Sequence, residues 1–419
     1  MSLIKFKNGL TLTHKYIDSV RSISIGVMVG AGCINESKKE NGISHFIEHM
    51  VFKGTSSRTA YDIANDLDSV GAGFNAYTSK QNTCFYTVSV DEYVDKCMEV
   101  LSDIYFNATF PEDEMEKEKG VVLEEIAMTD DTPDDICLDL LASEYYKGHT
   151  LGKTILGPAK NIKGFTREQL QKYVEKYYVA NNTVISVVGN ITEADAVNYV
   201  EKYFSNNFDN KKIKKKIVEK HETTSSQVVK TKAINQANVA IAFPCYRIGD
   251  EHETAFRLFN TVFGDGMTSR LFQTIREKQG LVYNIFSMPS SYKNDGYFTI
   301  FFATNPENVE LAVKEIKNEI LNVLNNGITK EEFERAKIQI KSGLVLGSES
   351  TIALMRAYGN SALFRDEYFD MDKRIEEIEN CKIEEIKPAI DYVFDFDKVS
   401  VSYVGPKNKF DVLEYLRRK

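Results

Sequence analysis

Two histidines and a glutamate stand close together near the start of this 419-residue chain. His45, Glu48 and His49 occupy positions i, i+3 and i+4, which share one face of an α-helix. Two imidazoles one turn apart can bind one metal ion, and a carboxylate beside them can accept a proton from water. The order H-x-x-E-H is also a zinc signature. The spacing therefore predicts a catalytic zinc site on a helix.

The helix that carries these side chains needs a packing face and defined ends. Its apolar residues recur at i, i+3, i+4, i+7 and i+8, and this stripe is expected to dock on a core. The residues are Ile43, Phe46, Ile47, Met50 and Val51. Asn41 or Ser44 is expected to cap the start, and Gly54 suits the end. Short motifs of this kind also occur on solvated helix faces that bind no metal, so the rest of the chain must decide.

The chain contains an internal repeat that serves as a control. Residues 51–58 resemble residues 262–270, and the same order of strands and helices follows in each half. In register with the three polar positions, the second copy carries Phe256, Phe259 and Asn260. The packing face is kept and the polar face is lost. Because a fold that needed the histidines would be expected to show them twice, the comparison favours chemistry in the first half only.

The repeat also predicts the architecture. Alternating apolar residues indicate strands at 22–29, 74–78 and 83–90 among amphipathic helices. The fold class is therefore α+β, with two homologous units in tandem, each an antiparallel sheet flanked by helices. We expect a catalytic zinc-binding domain at 1–210, a polar, Lys-rich linker at 211–226 and a homologous domain without the metal motif at 227–419.

Composition narrows the class of protein. Hydrophobic content of 42% and charged content of 27% are typical of a globular chain. The net charge of −9 argues against binding to nucleic acid or to a membrane surface, and no apolar run is long enough to span a bilayer. Six scattered cysteines without a C-x-x-C pair fit a reducing compartment. With no recognisable leader, the expected location is cytoplasmic, although a processed mature chain would look the same.

Two histidines do not complete a catalytic zinc site, which needs a third protein ligand. The acidic helix predicted to start at Pro111 offers six glutamates. Glu118 and Glu125 are seven residues apart and share one helix face. Their equivalents in the second copy are Ala336 and Gly343, so these two positions lose their charge together. An exposed acidic helix remains the simpler interpretation of the other glutamates.

The motifs together closely resemble the pitrilysin, insulinase and mitochondrial processing peptidase family of zinc peptidases, the inverzincins. The resemblance covers essentially the whole chain, and the set of motifs is highly specific. It is carried by residues 45–55, 75–79, 120–125 and 151–158 in the first half, and by residues 269–272, 276–278 and 280–283 in the second.

The resemblance implies roles for individual residues. His45, His49 and Glu125 would bind one zinc ion per chain, Glu48 would be the catalytic base, and Glu118 would be a supporting glutamate. The long glycine-rich loop of the non-catalytic alpha subunits is absent at 264–266, so the chain looks like the catalytic, beta-like type. Short two-domain members usually pair around a closed chamber. A homodimer, with each chain forming half of the chamber, is therefore expected.

Two further groups of residues are expected to hold the substrate. Asn75, Ala76 and Tyr77 suit an edge strand near the zinc, to which an extended peptide can add through main-chain hydrogen bonds. Arg276 and Tyr283 match an arginine and a tyrosine of the family that reach the bound peptide. An arginine can donate to carbonyls, and a tyrosine hydroxyl can support an oxyanion. Alternatively, Arg276 belongs to a solvated helix end and Tyr283 to the core.

These observations lead to one preferred function and two rivals. The preferred function is a zinc endopeptidase that cuts extended peptides or unfolded segments by means of an activated water. The main alternative is a non-catalytic structural subunit, like the core proteins of this fold in a respiratory complex, although such relatives usually have eroded catalytic residues. A histidine-rich metal carrier is disfavoured because the chain has only six histidines and four lie outside the motif.

Overall fold

The computed structural model describes residues 2–209, 211–214 and 218–418. They form two compact units, each assembled from separate stretches of the chain. The first unit contains the described residues within 2–127, 153–214 and 346–369, and the second contains 128–152, 218–345 and 370–418. Residue 210 and linker residues 215–217 lie outside the described part. Within the described part, no helix combines the length and the apolar character needed to cross a membrane.

The two units contain eleven strands and fifteen α-helices among the described residues. The strands are β1 (Ser2–Lys5), β2 (Thr11–Tyr16), β3 (Ser22–Val29), β4 (Gly73–Thr78), β5 (Thr83–Val90), β6 (Thr183–Gly189), β7 (Ser226–Thr231), β8 (Ala237–Pro244), β9 (Val282–Ser291), β10 (Gly296–Thr304) and β11 (Ser400–Gly405). The helices are α1 (Ile43–Met50), α2 (Ala60–Asp68), α3 (Val94–Phe106), α4 (Glu112–Asp131), α5 (Pro133–Tyr145), α6 (Ala159–Gly164), α7 (Arg167–Tyr177), α8 (Glu193–Tyr203), α9 (Glu253–Phe263), α10 (Val309–Asn326), α11 (Lys330–Gly347), α12 (Thr351–Asn360), α13 (Met371–Asn380), α14 (Ile386–Val393) and α15 (Val412–Arg417).

The first unit is built on a six-stranded sheet in the order β1-β2-β6-β3-β5-β4. Only β2 and β6 pair in parallel, and the other neighbours are antiparallel. Alternate residues face opposite sides, so that Val27 belongs to the core with α1, α3 and α8 while Met28 belongs to the core with α12. Strand β4 lies at one edge of the sheet, as the sequence predicted, with Tyr77 paired to Cys84 of β5.

Two glycines allow α12 to approach the first sheet closely. A Cβ atom on Gly26 of β3 would lie 2.2 Å from the sulfur of Met355, and one on Gly359 would lie 2.4 Å from the sulfur of Met28. Polar contacts hold the same interface, because the Ser186 hydroxyl donates to the main-chain oxygen of Met355 at 2.8 Å. Helix α12 is therefore an integral part of the first unit, although it comes from the second half of the sequence.

The second unit repeats this plan in a five-stranded sheet with the order β7-β11-β8-β10-β9. Again one pair, β7 and β11, is parallel, and β9 lies at the edge opposite β7. Helix α5, from the first half of the sequence, packs on β11 and β8, where the Cys137 thiol lies 3.4 Å from the main-chain oxygen of Asn238. The predicted fold class, two tandem α+β units, is confirmed. The sequence did not predict that α5 and α12 each complete the unit formed mainly by the other half.

Candidate metal centre

Helix α1 is fixed by its apolar face. Ile43, Phe46, Ile47 and Met50 are fully buried in the first core, as the periodicity predicted. His45 and His49 lie on the other face, with side chains 13% and 18% exposed. The two rings approach edge to face with centroids 4.6 Å apart. The packing of one face therefore determines where both imidazoles point.

The start of α1 is stabilised by a residue that the sequence did not single out. The N-terminal cap position is Gly42, with φ of 100°, and neither Asn41 nor Ser44 caps the helix, so that expectation was wrong. Instead, the buried carboxylate of Glu36 accepts hydrogen bonds from the main-chain N–H groups of Gly42 and Ser44, each at 2.9 Å. It also accepts one from the Asn41 amide at 2.9 Å. At the other end the helix stops at Met50, before Gly54.

The structure brings His45, His49 and Glu125 together. One ligand atom from each lies within 4.8 Å of the others. The Nε2 atoms of His45 and His49 lie 3.7 and 3.6 Å from Oε2 of Glu125. Helix α4 supplies the glutamate, and Glu124, the next residue back, is exposed. Two elements distant in sequence thus converge on one point.

This donor set fits zinc. Bonds of about 2.0–2.1 Å in a tetrahedral site place neighbouring ligand atoms about 3.3 Å apart, close to the separations here. An imidazole must be neutral to bind a metal. Burial, and secondarily the nearby His49, lowers the pKa of His45 to about 4, so this ring is neutral at pH 7. The buried Nδ1 of His45 has no hydrogen-bond partner among the described residues.

Glu118 supports the second histidine. It is 5% exposed, and its Oε2 lies 3.0 Å from Nδ1 of His49 while its Oε1 lies 2.5 Å from Nζ of Lys53. The Nδ1–H of His49 therefore donates to the carboxylate, which leaves Nε2 as the atom that faces Glu125. Carboxylates in this position fix the tautomer and orientation of a metal-binding imidazole. Lys53 compensates the buried negative charge.

Glu48 lies beside the three candidate ligands and is held by the edge strand. The hydroxyl of Thr78 on β4 donates to Oε2 of Glu48 at 2.5 Å. Burial raises the pKa of Glu48, and the Thr78 hydrogen bond opposes that rise in part. A partly buried carboxylate of raised pKa, oriented by a hydroxyl, can act as a proton acceptor near neutral pH.

The edge strand presents its two faces differently. Phe74 and Thr78 point towards α1, since Phe74 packs on Phe52 and Thr78 binds Glu48. Asn75 and Tyr77 point to the opposite face, where Tyr77 joins the cluster that contains α12. Ala76 packs on the α1 side. Any contact of the Tyr77 side chain therefore lies away from the candidate metal centre. Among the described residues, β4 pairs with no strand on its outer side.

Arg276 and Tyr283 both belong to the second unit. Arg276 lies in a π-helical turn, Phe272–Lys278, and its guanidinium is 5.9 Å from the centre of the Tyr283 ring. Tyr283 sits at an irregularity of β9, because Val282 pairs with Thr304 and Asn284 with Ala303, which leaves Tyr283 unpaired. Its side chain is 72% exposed, so it is not a core residue. Bulges and π-turns of this kind redirect side chains and often occur at functional sites.

In the second unit, the positions equivalent to the three candidate metal ligands carry other residues. Phe256, Asn260 and Gly343, the counterparts of His45, His49 and Glu125, line one cavity of about 760 Å³. The amide oxygen of Asn260 accepts a hydrogen bond from Ser287 at 2.7 Å. The register proposed from the repeat is therefore the structural one.

Comparison with known proteins agrees with this geometry. The family model described as Insulinase (Peptidase family M16) matches residues 14–159, which include the three candidate metal ligands. The model described as Peptidase M16 inactive domain matches residues 164–340. A Bacillus subtilis protein named an uncharacterized zinc protease, YmxG, is 37% identical over 93% of this chain and 95% of its own length. A Rickettsia felis protein, also named an uncharacterized zinc protease, is 35% identical over 97% of this chain and 98% of its own.

Two solved structures share the fold. A peptidase M16 inactive domain from Pseudomonas fluorescens superimposes with a TM-score of 0.91 at 21% identity, covering 97% of this chain and 98% of that one. A protease from Helicobacter pylori gives the same TM-score and identity, covering 97% and 99%. The sequence matches, which extend over nearly the whole chain, establish that this protein belongs to the insulinase family, peptidase family M16.

Proposed function

We propose that this protein is a zinc-dependent endopeptidase that hydrolyses extended peptides or unfolded segments. The observation that carries the proposal is the convergence of His45, His49 and Glu125 on one point, with Glu48 beside it. Names of relatives that include zinc protease support the same metal and reaction class. The label of inactive domain attaches to residues 164–340, which lack these side chains.

Each residue of the proposed site has a separate role in hydrolysis. His45, His49 and Glu125 would hold one zinc ion, which supplies a Lewis acid and lowers the pKa of water towards about 7. Glu48 accepts the proton of the attacking water at its carboxylate and returns it to the leaving amine. Thr78 orients Glu48, and Glu118 orients His49. Each of these contacts lies inside the first unit.

Substrate binding and assembly belong to the same proposal. An extended peptide would add to the main chain of Asn75, Ala76 and Tyr77 at the open edge of β4. Arg276 would donate to substrate carbonyls and Tyr283 to the oxyanion, in keeping with the exposure of the Tyr283 side chain. We further propose a cytoplasmic homodimer. The cysteines, all free and buried, fit a reducing compartment, and light scattering tests the dimer.

The decisive experiment distinguishes the role of the metal ligands from the role of the proton acceptor. Purified protein is analysed for zinc and incubated with a peptide library with and without a chelator, and the fragments are sequenced. We expect about one zinc per chain, reduced sharply in His45→Ala and Glu125→Gln. Glu48→Gln should retain zinc and lose nearly all hydrolysis, because it removes the proton acceptor and no ligand. Activity of Glu48→Gln within tenfold of the unaltered protein, or unchanged zinc in His45→Ala, would contradict the assignment.

The alternative, a non-catalytic structural subunit of this fold, gives a different result in the same experiment. Such a subunit would cut no peptide in the library even when fully loaded with zinc. Mutation of Glu48 to Gln would then leave the fragment pattern unchanged.

A further inference from the structure

An arginine that has no acidic partner among residues 2–209, 211–214 and 218–418 lies beside the edge strand of the first unit. Arg356 belongs to α12, and its guanidinium sits 5.3 Å from the ring centre of Tyr77 on β4 and 5.0 Å from that of Tyr86 on β5. One of its N–H groups donates to the Tyr86 hydroxyl at 2.9 Å. The two rings hold the end of a long side chain in one place.

No acidic side chain in the described part of the chain neutralises the charge of Arg356. Among the described residues it forms no ion pair, and its only hydrogen bond goes to a neutral phenol. In contrast, Arg58 in the same unit binds Asp66, Glu99 and Asp103. Arg356 is exposed, and an arginine has five N–H donors, so most of its donors remain available. A fixed cation with free donors matches a carboxylate.

The position of Arg356 relates it to a peptide on β4. An added strand lies about 4.8 Å from β4, and its side chains alternate between the two faces of the sheet. Side chains opposite Ala76 and Thr78 face α1 and the metal centre, since Thr78 binds Glu48. Side chains opposite Asn75 and Tyr77 face α12, where the guanidinium lies. Only alternate residues of the peptide can therefore approach Arg356.

We infer that Arg356, held between Tyr77 and Tyr86, is a binding site for an aspartate or glutamate side chain of an extended peptide lying along β4. The inference rests on the proposed function and adds a specificity to it. Acidic side chains are preferred at positions that face α12 and are not preferred at the intervening positions. The preference reflects binding, so it changes KM more than kcat.

The test uses an octapeptide series in which a glutamine-rich parent receives one glutamate at each position in turn. The value of kcat/KM is measured for every peptide, and Kd is measured in parallel with Glu48→Gln protein, which does not need to cut. We expect a gain of about fivefold for glutamate over glutamine at alternate positions, the size of a partly exposed ion pair. The gain should disappear in Arg356→Gln. In Arg356→Glu, a lysine series should be preferred at the same positions.

Arg21→Gln serves as the matched control, because it removes the same charge from an exposed arginine of the first unit that is paired with Asp91. It should keep the glutamate preference. Equal values for glutamate and glutamine peptides, or a preference that persists in Arg356→Gln, would overturn the inference even if peptides are cut. If no peptide is cut, the proposed function fails, and the Kd values still decide: equal Kd for the two series overturns the Arg356 site.

Discussion

Replacement of Glu36 by alanine should destabilise the first unit through the start of α1. The carboxylate is 2% exposed and accepts three hydrogen bonds of 2.9 Å, two of them from the main-chain N–H groups of Gly42 and Ser44. A buried donor left without a partner costs about 1–3 kcal/mol, so two cost about 2–6 kcal/mol. Removing a buried carboxylate recovers part of this cost. We therefore expect a net loss of about 2–4 kcal/mol in the free energy of unfolding.

Glu36→Gln should cost about half as much, because its one amide oxygen can still accept from Gly42 and Asn41 while Ser44 loses its partner. Urea unfolding at pH 7 measures both variants, and chelator competition measures their zinc affinity, which should fall because α1 carries His45 and His49. Glu40→Gln is the control, since its carboxylate accepts from the exposed main chain of Ser37. It should change the free energy by less than about 0.5 kcal/mol.

The same residue predicts a pH dependence. Burial raises the pKa of Glu36 above its ordinary value of 4.5, so between pH 4.5 and the folded pKa the folded protein binds a proton that the unfolded chain releases. Stability should therefore fall as pH rises from 4.5 through the folded pKa, and this slope should be absent in Glu36→Gln. A loss of under about 0.5 kcal/mol in Glu36→Ala, or equal slopes in the unaltered protein and Glu36→Gln, would refute the reasoning.

Three further predictions concern the proposed reaction. Glu118→Gln should weaken zinc binding about 10–100-fold in chelator competition, because His49 loses its charged acceptor. Unchanged affinity would show that the contact between Glu118 and His49 does not contribute to zinc binding. Thr78→Val should move the acid limb of the pH profile of kcat/KM to higher pH by about one unit, since Glu48 loses a hydrogen-bond donor. If the acid limb does not move, Glu48 is not the titrating group. Tyr283→Phe should lower kcat about 10²–10³-fold with zinc content unchanged, and full activity would exclude its hydroxyl from oxyanion binding.

Much of the first unit could be predicted because its signals are periodic. The strands at 22–29 and 83–90 and the apolar face of α1 follow from alternation and helical spacing, and the structure places them at those residues. The pairing of Glu118 and Glu125 on one face of α4 followed from their separation by seven residues. Register with the second copy then showed that both positions lose their charge there, whereas Glu114 and Glu116 have acidic counterparts in Glu332 and Glu334.

The remaining features of the fold and the site depend on contacts between residues that show no periodic pattern in the sequence. Glu36 reaches Gly42 and Ser44 across an irregular loop, and a lone acidic residue before a glycine gives no signal for a cap. Thr78 meets Glu48 only because β4 folds back beside α1. Helix α12 does not follow from the sequence because it docks on a sheet formed by the other half of the sequence, and because its glycine and its tyrosine obscure the helical pattern.

Helices α5 and α12 each belong to the unit formed mainly by the other half of the sequence, and this arrangement has a consequence for biosynthesis. The first unit is still incomplete when all strands of its sheet have emerged from the ribosome. Its remaining helix, α12, belongs to the later stretch 346–369. The stretch 218–369, which must be synthesised in addition, contains 152 residues. At about 5–20 residues per second, their synthesis takes about 8–30 s. During that interval the face of the sheet that later receives Met355 and Tyr358 is uncovered. The nascent chain therefore carries His45, His49 and Glu125 before the unit around them is complete, and that unit gains its last helix only when translation is nearly finished.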